Sequence, residues 1–163
     1  MHQAALTEMT KAVYAEKGER LNVLDVGSLD VNGTYRPLIE GRGWDYTGLD
    51  ICAGRNVDIV SADPFRFPVE DDSYDMVISG STMEHVTAIW KWVPELVRVL
   101  KPGGKLVIIT HWQIREHRYP LDCWRVMPDG MKYILDDTGQ LFDIHAEITS
   151  DTDIIGTARK VIA

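Results

Sequence analysis

Five stretches of this chain, LNVLDV (21–26), WDYTGLD (44–50), NVDIV (56–60), YDMVIS (74–79) and KLVIIT (105–110), are short, rich in aliphatic or aromatic residues, and separated by segments that read as helix or turn. A strand that alternates apolar and polar residues covers a core on one face, whereas one that is apolar nearly throughout must be covered on both. Strands of the second kind, spaced by helices, dictate a parallel sheet with helices on each side. The helices fall where that arrangement needs them. Ala5, Leu6, Met9 and Val13 recur at helical spacing before Gly18, a short helix is predicted over 35–42 with Pro37 in its first turn, and AIWKWVPELVRVL (88–100) forms another that the turn KPGG ends. The tail departs from this pattern. LFDIHAEIT (141–149) and DIIGTARKVIA (153–163) are strand-like and joined by SDTD without a helix, so they are expected to pair as an antiparallel hairpin at one edge. The fold class expected is α/β: a Rossmann-like, doubly wound, mostly parallel sheet with an antiparallel C-terminal β-hairpin, in a single domain over 1–163. The chain shows no repeat, low-complexity tract or linker.

At 163 residues one core is sufficient, since a chain of this length buries roughly 70% of its unfolded surface. No apolar run is long enough to span a bilayer, and the first residues lack a cationic segment followed by an apolar one, so a cytoplasmic location without membrane association is expected. A net charge of −8 argues against DNA or RNA as partner, because such binders draw most of their affinity from Lys and Arg on phosphates. Cys52 and Cys123 form no C-x-x-C pair and are expected to be reduced, structural thiols.

The turn after the first strand limits the ligand. In NVLDVGSLDVNGTYRPL (22–38), Gly27 is followed by Ser28 and Leu29, so G-x-G-x-x-G for a dinucleotide is absent, and no lysine follows Gly33 as a phosphate-cradling loop requires. The turn suits a ligand that approaches the backbone closely without a pyrophosphate to wrap.

Ligands of open parallel sheets bind beyond the carboxyl ends of the strands, near the point where strand order reverses. The residues there are Asp25 to Ser28, Asp50 to Cys52, Asp63 with Pro64, Ser79 to Ser81, and Thr110 to Trp112. Asp50, ending the second strand, is placed to accept both hydroxyls of a ribose. Asp63 is placed either to accept from an exocyclic amine or to cap its own turn before Pro64.

VLDVGS, YTGLDI, VSADPFRFPVEDDSYDMVISGSTMEHV and LVRVLKPGGKLVII resemble, in order and spacing, the successive motifs of class I S-adenosylmethionine-dependent methyltransferases, in particular a small-molecule group with EHV after its fourth strand. The resemblance spans roughly residues 21–110. It implies a seven-stranded sheet with an antiparallel last strand, S-adenosylmethionine as cofactor, and cofactor contacts from Asp25, Gly27, Ser28, Asp50, Ile51, Asp63 and Ser79. The family's first loop is commonly E/D-x-G-x-G-x-G, and here Leu29 and Val31 stand at the second and third glycine positions.

Methyl transfer needs a base only where the acceptor must lose a proton. Glu84 and His85 are candidates for that role, with a structural loop histidine as the alternative for His85, and His111 follows the fifth strand at the same end. The segment THWQIREHRYPLDCWRVMPDG (110–130) carries the candidate substrate-binding residues His111, Trp112, His117, Tyr119, Asp122 and Arg125. Its part YPLDCWRVMPDG resembles methyltransferases linked to glycan or natural-product assembly. Tyr119, Trp124 and Pro128 are equally suited to packing this loop, with Asp129 and Gly130 in a turn. His111, His117 and Asp122 lack a regular spacing, so no metal site is expected. The activity implied is methyl transfer to a small-molecule acceptor. Its rivals are a nicotinamide-dependent oxidoreductase and a non-catalytic cofactor-binding or assembly module.

Overall fold

The computed structural model describes residues 3–162. Helix α1 spans Gln3–Ala15, β1 Asn22–Val26, α2 Arg36–Glu40, β2 Asp45–Asp50, β3 Ile59–Val60 and β4 Tyr74–Gly80. A 3-10 turn at Met83–His85 leads to α3 at Ile89–Val99, followed by β5 Leu100–His111, α4 Pro128–Asp136, β6 Leu141–Ile148 and β7 Asp153–Lys160. The seven strands form one sheet in the order β3-β2-β1-β4-β5-β7-β6. Strands β1 to β5 pair in parallel, and β7 runs antiparallel to both its neighbours, so the expected α/β sheet with a C-terminal hairpin at one edge is present.

Alternate residues of the central strands feed two cores. Leu24, Val26, Val77, Leu106, Ile108, Ile154 and Ala158 meet α3 and α4 on one face, while Val23, Met76, Ile78, Val107, Ile109 and Ile155 meet α1 and α2 on the other. Both faces are dry, which is why these strands lack a polar side. No helix among the described residues is long and apolar enough to cross a membrane.

Three local expectations are corrected. The third strand keeps only Ile59–Val60 of the predicted 56–60, because Asn56 takes a positive φ of +72° and the Gly48 N–H of β2 goes to the Asp58 carboxylate at 2.7 Å instead of to a main-chain carbonyl, although the Asp58 N–H still donates to the Gly48 carbonyl at 2.8 Å. KPGG (101–104) is a bulge inside β5, not a turn before it: Leu100 pairs with Tyr74 and Lys105 with Met76, leaving four residues opposite Asp75 alone. Helix α4 occupies Pro128–Asp136 where Asp129 and Gly130 suggested a turn. Pro128 opens it, and Met131 and Leu135, one turn apart, are its buried face.

Segment 61–73 is tied to α3 through a buried carboxylate. Glu95 Oε1 accepts from the Phe67 N–H at 2.6 Å and from Arg98 Nη2 at 2.6 Å, and Arg98 also donates to the carbonyls of Val69 at 2.8 Å and Phe67 at 3.3 Å. This holds Phe65 and Phe67 beside the carboxyl ends of the strands.

Gly156 of β7 lies under α4, and a Cβ added there would stand 2.6 Å from Met131 Cγ and 2.7 Å from its Sδ. Strand propensity alone favours valine over glycine at such a position, but overpacking a dry contact costs ~1–3 kcal/mol. Gly156→Val is therefore expected to lower stability by about that amount, and Met131→Ala in the same chain to recover part of the loss, as read from urea unfolding midpoints. Additive losses in the double variant would remove this contact as the cause.

Candidate functional site

The order of strands reverses between β1 and β4, and the loops that follow them part to opposite faces of the sheet. Gly27 makes the first turn with φ +83°. A Cβ there would lie 2.0 Å from Thr82 Oγ1, so the two loops touch at a point only glycine can occupy. On the β4 side, Ser81 adopts φ +54°, a left-handed conformation that turns Thr82 toward Gly27.

The backbone amides of the first loop are used inside the protein. Gly27 and Ser28 both donate to the Leu49 carbonyl at 2.8 and 3.1 Å, Leu29 to Asp50 Oδ2 at 3.0 Å, Asp30 to the Arg55 carbonyl at 3.0 Å, and Gly33 to Asp30 Oδ1 at 2.8 Å. A phosphate site needs such amides pointing outward. This loop offers a cavity its side chains and its close approach, not a ring of donors.

Beyond the strand ends opens a cavity of about 1200 Å³, larger than the ~300–1,000 Å³ of typical single-ligand pockets. Among the expected cofactor residues, Asp25, Gly27, Ser28, Asp50 and Ile51 line it, and Asp63 and Ser79 do not. Asp63 is exposed and caps its own turn, its Oδ1 accepting from the Phe65 N–H at 2.8 Å, so Pro64, Phe65 and Phe67 form the wall there. Ser79 is fully buried and donates to the Val26 carbonyl at 2.7 Å, cross-linking β4 to β1. Asp50 Oδ1 accepts from the Cys52 N–H at 3.0 Å, so its carboxylate is oriented by two amides at the cavity edge. Both cysteines are free, but they are exposed and not buried as structural thiols would be; Cys52 lies on the cavity wall.

Asp25 is buried and accepts a hydrogen bond from Tyr46 Oη at 2.5 Å. Burial, reinforced by the charge of Asp50 and only partly opposed by Tyr46 and Arg36, pushes its carboxyl up to about 7.

The opposite wall comes from the turn after β4 and the segment after β5. His85, His111, His117 and Tyr119 line the cavity. His85 Nδ1 and the Leu121 carbonyl are 2.5 Å apart, which assigns the ring proton to Nδ1. His111 is buried between two carboxylates, Asp153 Oδ1 at 3.0 Å from Nδ1 and Glu84 Oε1 at 3.3 Å from Nε2. Burial opposes its charge, but Asp153 and Glu84 outweigh burial and hold its pKa above the ordinary histidine value. Glu84 is fully buried behind this wall, its Oε2 accepting from Thr110 Oγ1 at 2.8 Å.

Three of the residues expected to face a substrate are structural. Trp112 donates from Nε1 to the Ser150 carbonyl at 3.1 Å. Arg125 grips Asp122 through two hydrogen bonds of 2.6 and 2.7 Å, which hold that carboxyl well below the usual range and tie the loop to itself, so neither faces the cavity. Because Asp122 is engaged in this way, the grouping His111, His117 and Asp122 does not form. Glu84, His85 and His117 instead each bring one ligand atom within 4.8 Å of the others. Tyr35, Thr82 and Trp92 also line the cavity. Tyr35 follows no strand, and Trp92 reads from the sequence only as helix core, so proximity to strand ends could not reveal them.

The sequence pattern described as "Methyltransferase domain" matches residues 24–108. A demethylmenaquinone methyltransferase of Clavibacter sepedonicus is 32% identical over 111 residues, covering 61% of this chain and 44% of that protein. The chain spans about half the length of the curated relatives it matches. Among solved structures, a 1,6-didemethyltoxoflavin-N1-methyltransferase from Burkholderia thailandensis with bound 1,6-didemethyltoxoflavin and S-adenosylhomocysteine has TM-score 0.76 at 15% identity, over 98% of this chain and 80% of that one. A SAM dependent methyltransferase from Aquifex aeolicus has TM-score 0.67 at 21% identity, over 99% and 100%. At these identities the likeness is one of fold.

Asp25 generates a pH prediction. Its folded-state pKa of about 7 lies above the unfolded value near 3.9, so the folded state binds more protons between the two. The contribution of this residue to stability is complete below about pH 4 and is lost as the pH rises through about 7. Asp25→Asn, which cannot ionise, is expected to flatten that part of the curve, so that wild type loses roughly 3–4 kcal/mol relative to the variant between pH 4 and pH 8. Parallel urea midpoints across this range would exclude an up-shifted Asp25.

Proposed function

The chain belongs to the family of class I S-adenosylmethionine-dependent methyltransferases, and we propose that it transfers a methyl group from that cofactor to a small-molecule acceptor. The observation that carries this reading is the cavity at the β1/β4 reversal, roomy enough for two ligands and walled by a carboxylate-bearing strand end on one side and three imidazoles on the other. The residues present fit the cofactor. The missing Cβ of Gly27 leaves room for backbone approach, and Asp50, fixed by the amides of Leu29 and Cys52, retains acceptor capacity for ribose hydroxyls. Ile51 and Phe65 would flank an adenine. Asp25, buried next to Asp50, would favour a positively charged ligand, because a cation beside a carboxyl restores its ionised form.

Bound in this cavity, S-adenosylmethionine supplies a methyl group on a sulfonium, open to displacement at carbon. The protein's part is to align acceptor and methyl and to exclude water, and such alignment can supply ~7–11 kcal/mol of a barrier. His85, His111, His117 and Tyr119 form the acceptor wall, and a proton released by the acceptor falls to the Glu84–His85–His111 cluster. His111 is held in orientation by Asp153. The small-molecule class is favoured because the similar proteins include a demethylmenaquinone methyltransferase and a 1,6-didemethyltoxoflavin-N1-methyltransferase. Glycan and natural-product building blocks belong to the same class.

A nicotinamide dinucleotide is disfavoured by the inward use of the first loop's amides, which leaves its pyrophosphate without donors. A non-catalytic cofactor-binding module would share the cradle, and turnover of methyl-labelled cofactor separates it from an enzyme.

Asp50→Ala is expected to weaken binding of S-adenosylhomocysteine about tenfold or more, since charge-assisted hydrogen bonds contribute ~1.5–3 kcal/mol and each 1.4 kcal/mol is a factor of ten. Asp63→Asn, outside the cavity lining, should change it by less than about threefold. Calorimetry giving the reverse order would move the nucleoside from Asp50 to Asp63.

A further inference from the structure

We propose that Glu84, His85 and His117 bind a divalent transition-metal ion of the zinc type at the acceptor end of the cavity. No such site is expected from the sequence, and the fold alone assembles it. Glu84 and His85 come from the turn after β4, and His117 from the long segment after β5. Two main-chain hydrogen bonds fasten the two together: the N–H groups of Cys123 and Trp124 both donate to the Glu84 carbonyl, at 2.7 and 3.3 Å.

Each side chain is prepared for a cation. Glu84 is fully buried; its Oε2 accepts from Thr110, and its Oε1 accepts no hydrogen bond among the described residues, with the imidazole of His111 as an ion-pair neighbour 3.3 Å away at Nε2. A buried carboxylate oxygen that has an imidazole beside it but no hydrogen bond retains lone-pair capacity for a cation. His85 donates from Nδ1 to the Leu121 carbonyl, which leaves the Nε2 lone pair outward. That is the outer arrangement of most metal-bound histidines, whose second nitrogen is held by a carbonyl or carboxylate. His117 also has a buried Nδ1 without a hydrogen-bond partner, with Asp122 Oδ2 3.7 Å away.

The separations suit first-row metals. Bonds of ~2.0–2.1 Å in tetrahedral geometry place ligand atoms ~3.3–3.4 Å apart. His85 Nε2 stands 3.9 Å from Glu84 Oε1, and all three ligand atoms lie within 4.8 Å of one another, so modest side-chain rotations close the set. Two imidazoles with one carboxylate favour zinc, cobalt, iron or nickel over magnesium or calcium, which prefer oxygen ligands throughout. Three protein ligands also leave a coordination position facing the cavity. An acceptor oxygen placed there would have its pKa lowered by the ion, a role that replaces proton acceptance by Glu84 and His85 when the metal is bound. That last role rests on the methyl-transfer reading, but metal binding itself does not.

The test is made without S-adenosylmethionine. The 163-residue chain, stripped by chelator dialysis, is titrated with Zn²⁺ against a chromophoric chelator, and with Co²⁺ while its visible absorption is followed. One equivalent of Zn²⁺ bound at micromolar affinity or tighter is expected, with Co²⁺ bands of nitrogen and oxygen coordination. His117→Ala and His85→Gln should each weaken binding at least tenfold, while His145→Ala, at an exposed histidine beside Asp143, leaves it within twofold. Circular dichroism monitors folding. Should His85→Gln fail to fold, His117→Ala, from the loop, decides together with the wild-type cobalt spectrum. Absence of one-equivalent uptake, or affinity unchanged in His117→Ala, overturns the site. Metal uptake by a chain that binds no S-adenosylhomocysteine would sink the methyl-transfer reading and leave the metal site standing.

Discussion

The contact between Gly27 and Thr82 is the constraint on which the ligand end of this protein depends. At the reversal of strand order, the loops after β1 and β4 must first meet and then separate. They meet so closely that a methyl group at position 27 would stand 2.0 Å from the threonine hydroxyl. The positive φ of Gly27 directs its own amide and that of Ser28 back to Leu49, and this in turn sets Leu29 to donate to Asp50. One backbone conformation thereby joins β1, β2 and β4, and the cavity is the space left where the loops diverge.

Polar burial is concentrated at this same end. Asp25, Ser28, Ser79, Glu84, Thr110, His111 and Asp153 are all buried near the carboxyl ends of the parallel strands, whereas the middles of those strands are apolar on both faces. Removing such groups from water is unfavourable unless each finds a partner, and here most do, through Tyr46, Val26, Thr110 and Asp153. Departures from an otherwise consistent pattern of burial are where function is concentrated.

The sheet was legible because dry strands leave a periodic trace, and β1, β2, β4, β5 and the hairpin lie where the apolar runs are. Signals that depend on distant partners were not. The Asp58 carboxylate takes the Gly48 N–H that a longer β3 would have used, and KPGG becomes a bulge because Tyr74 and Met76 fix its ends. Helix α4 was hidden by Pro128 and Gly130, although Met131 and Leu135 carried its period. Position after a strand singles out Asp25, Gly27, Ser28, Asp50, His85 and His111, which line the cavity, but does not tell which side chains turn inward. Ser79 and Asp63 sit where expected in the chain and point elsewhere. Trp112, Asp122 and Arg125 look like recognition residues by type and serve as fasteners instead. His117 joins Glu84 and His85 only through main-chain bonds that no spacing announces.

The reversed direction of β7 has a consequence in time as well as in space. Running antiparallel, it brings its first residue, Asp153, to the carboxyl ends of the other strands, opposite His111. Domains are synthesised from the N-terminus, at ~5–20 residues per second. The cradle around Gly27 and Asp50 has all its parts while the last strands are still inside the ribosome. The imidazole of His111 gains its orienting carboxylate only after Asp153 has emerged. The two walls of the cavity are thus completed at different times in a nascent chain.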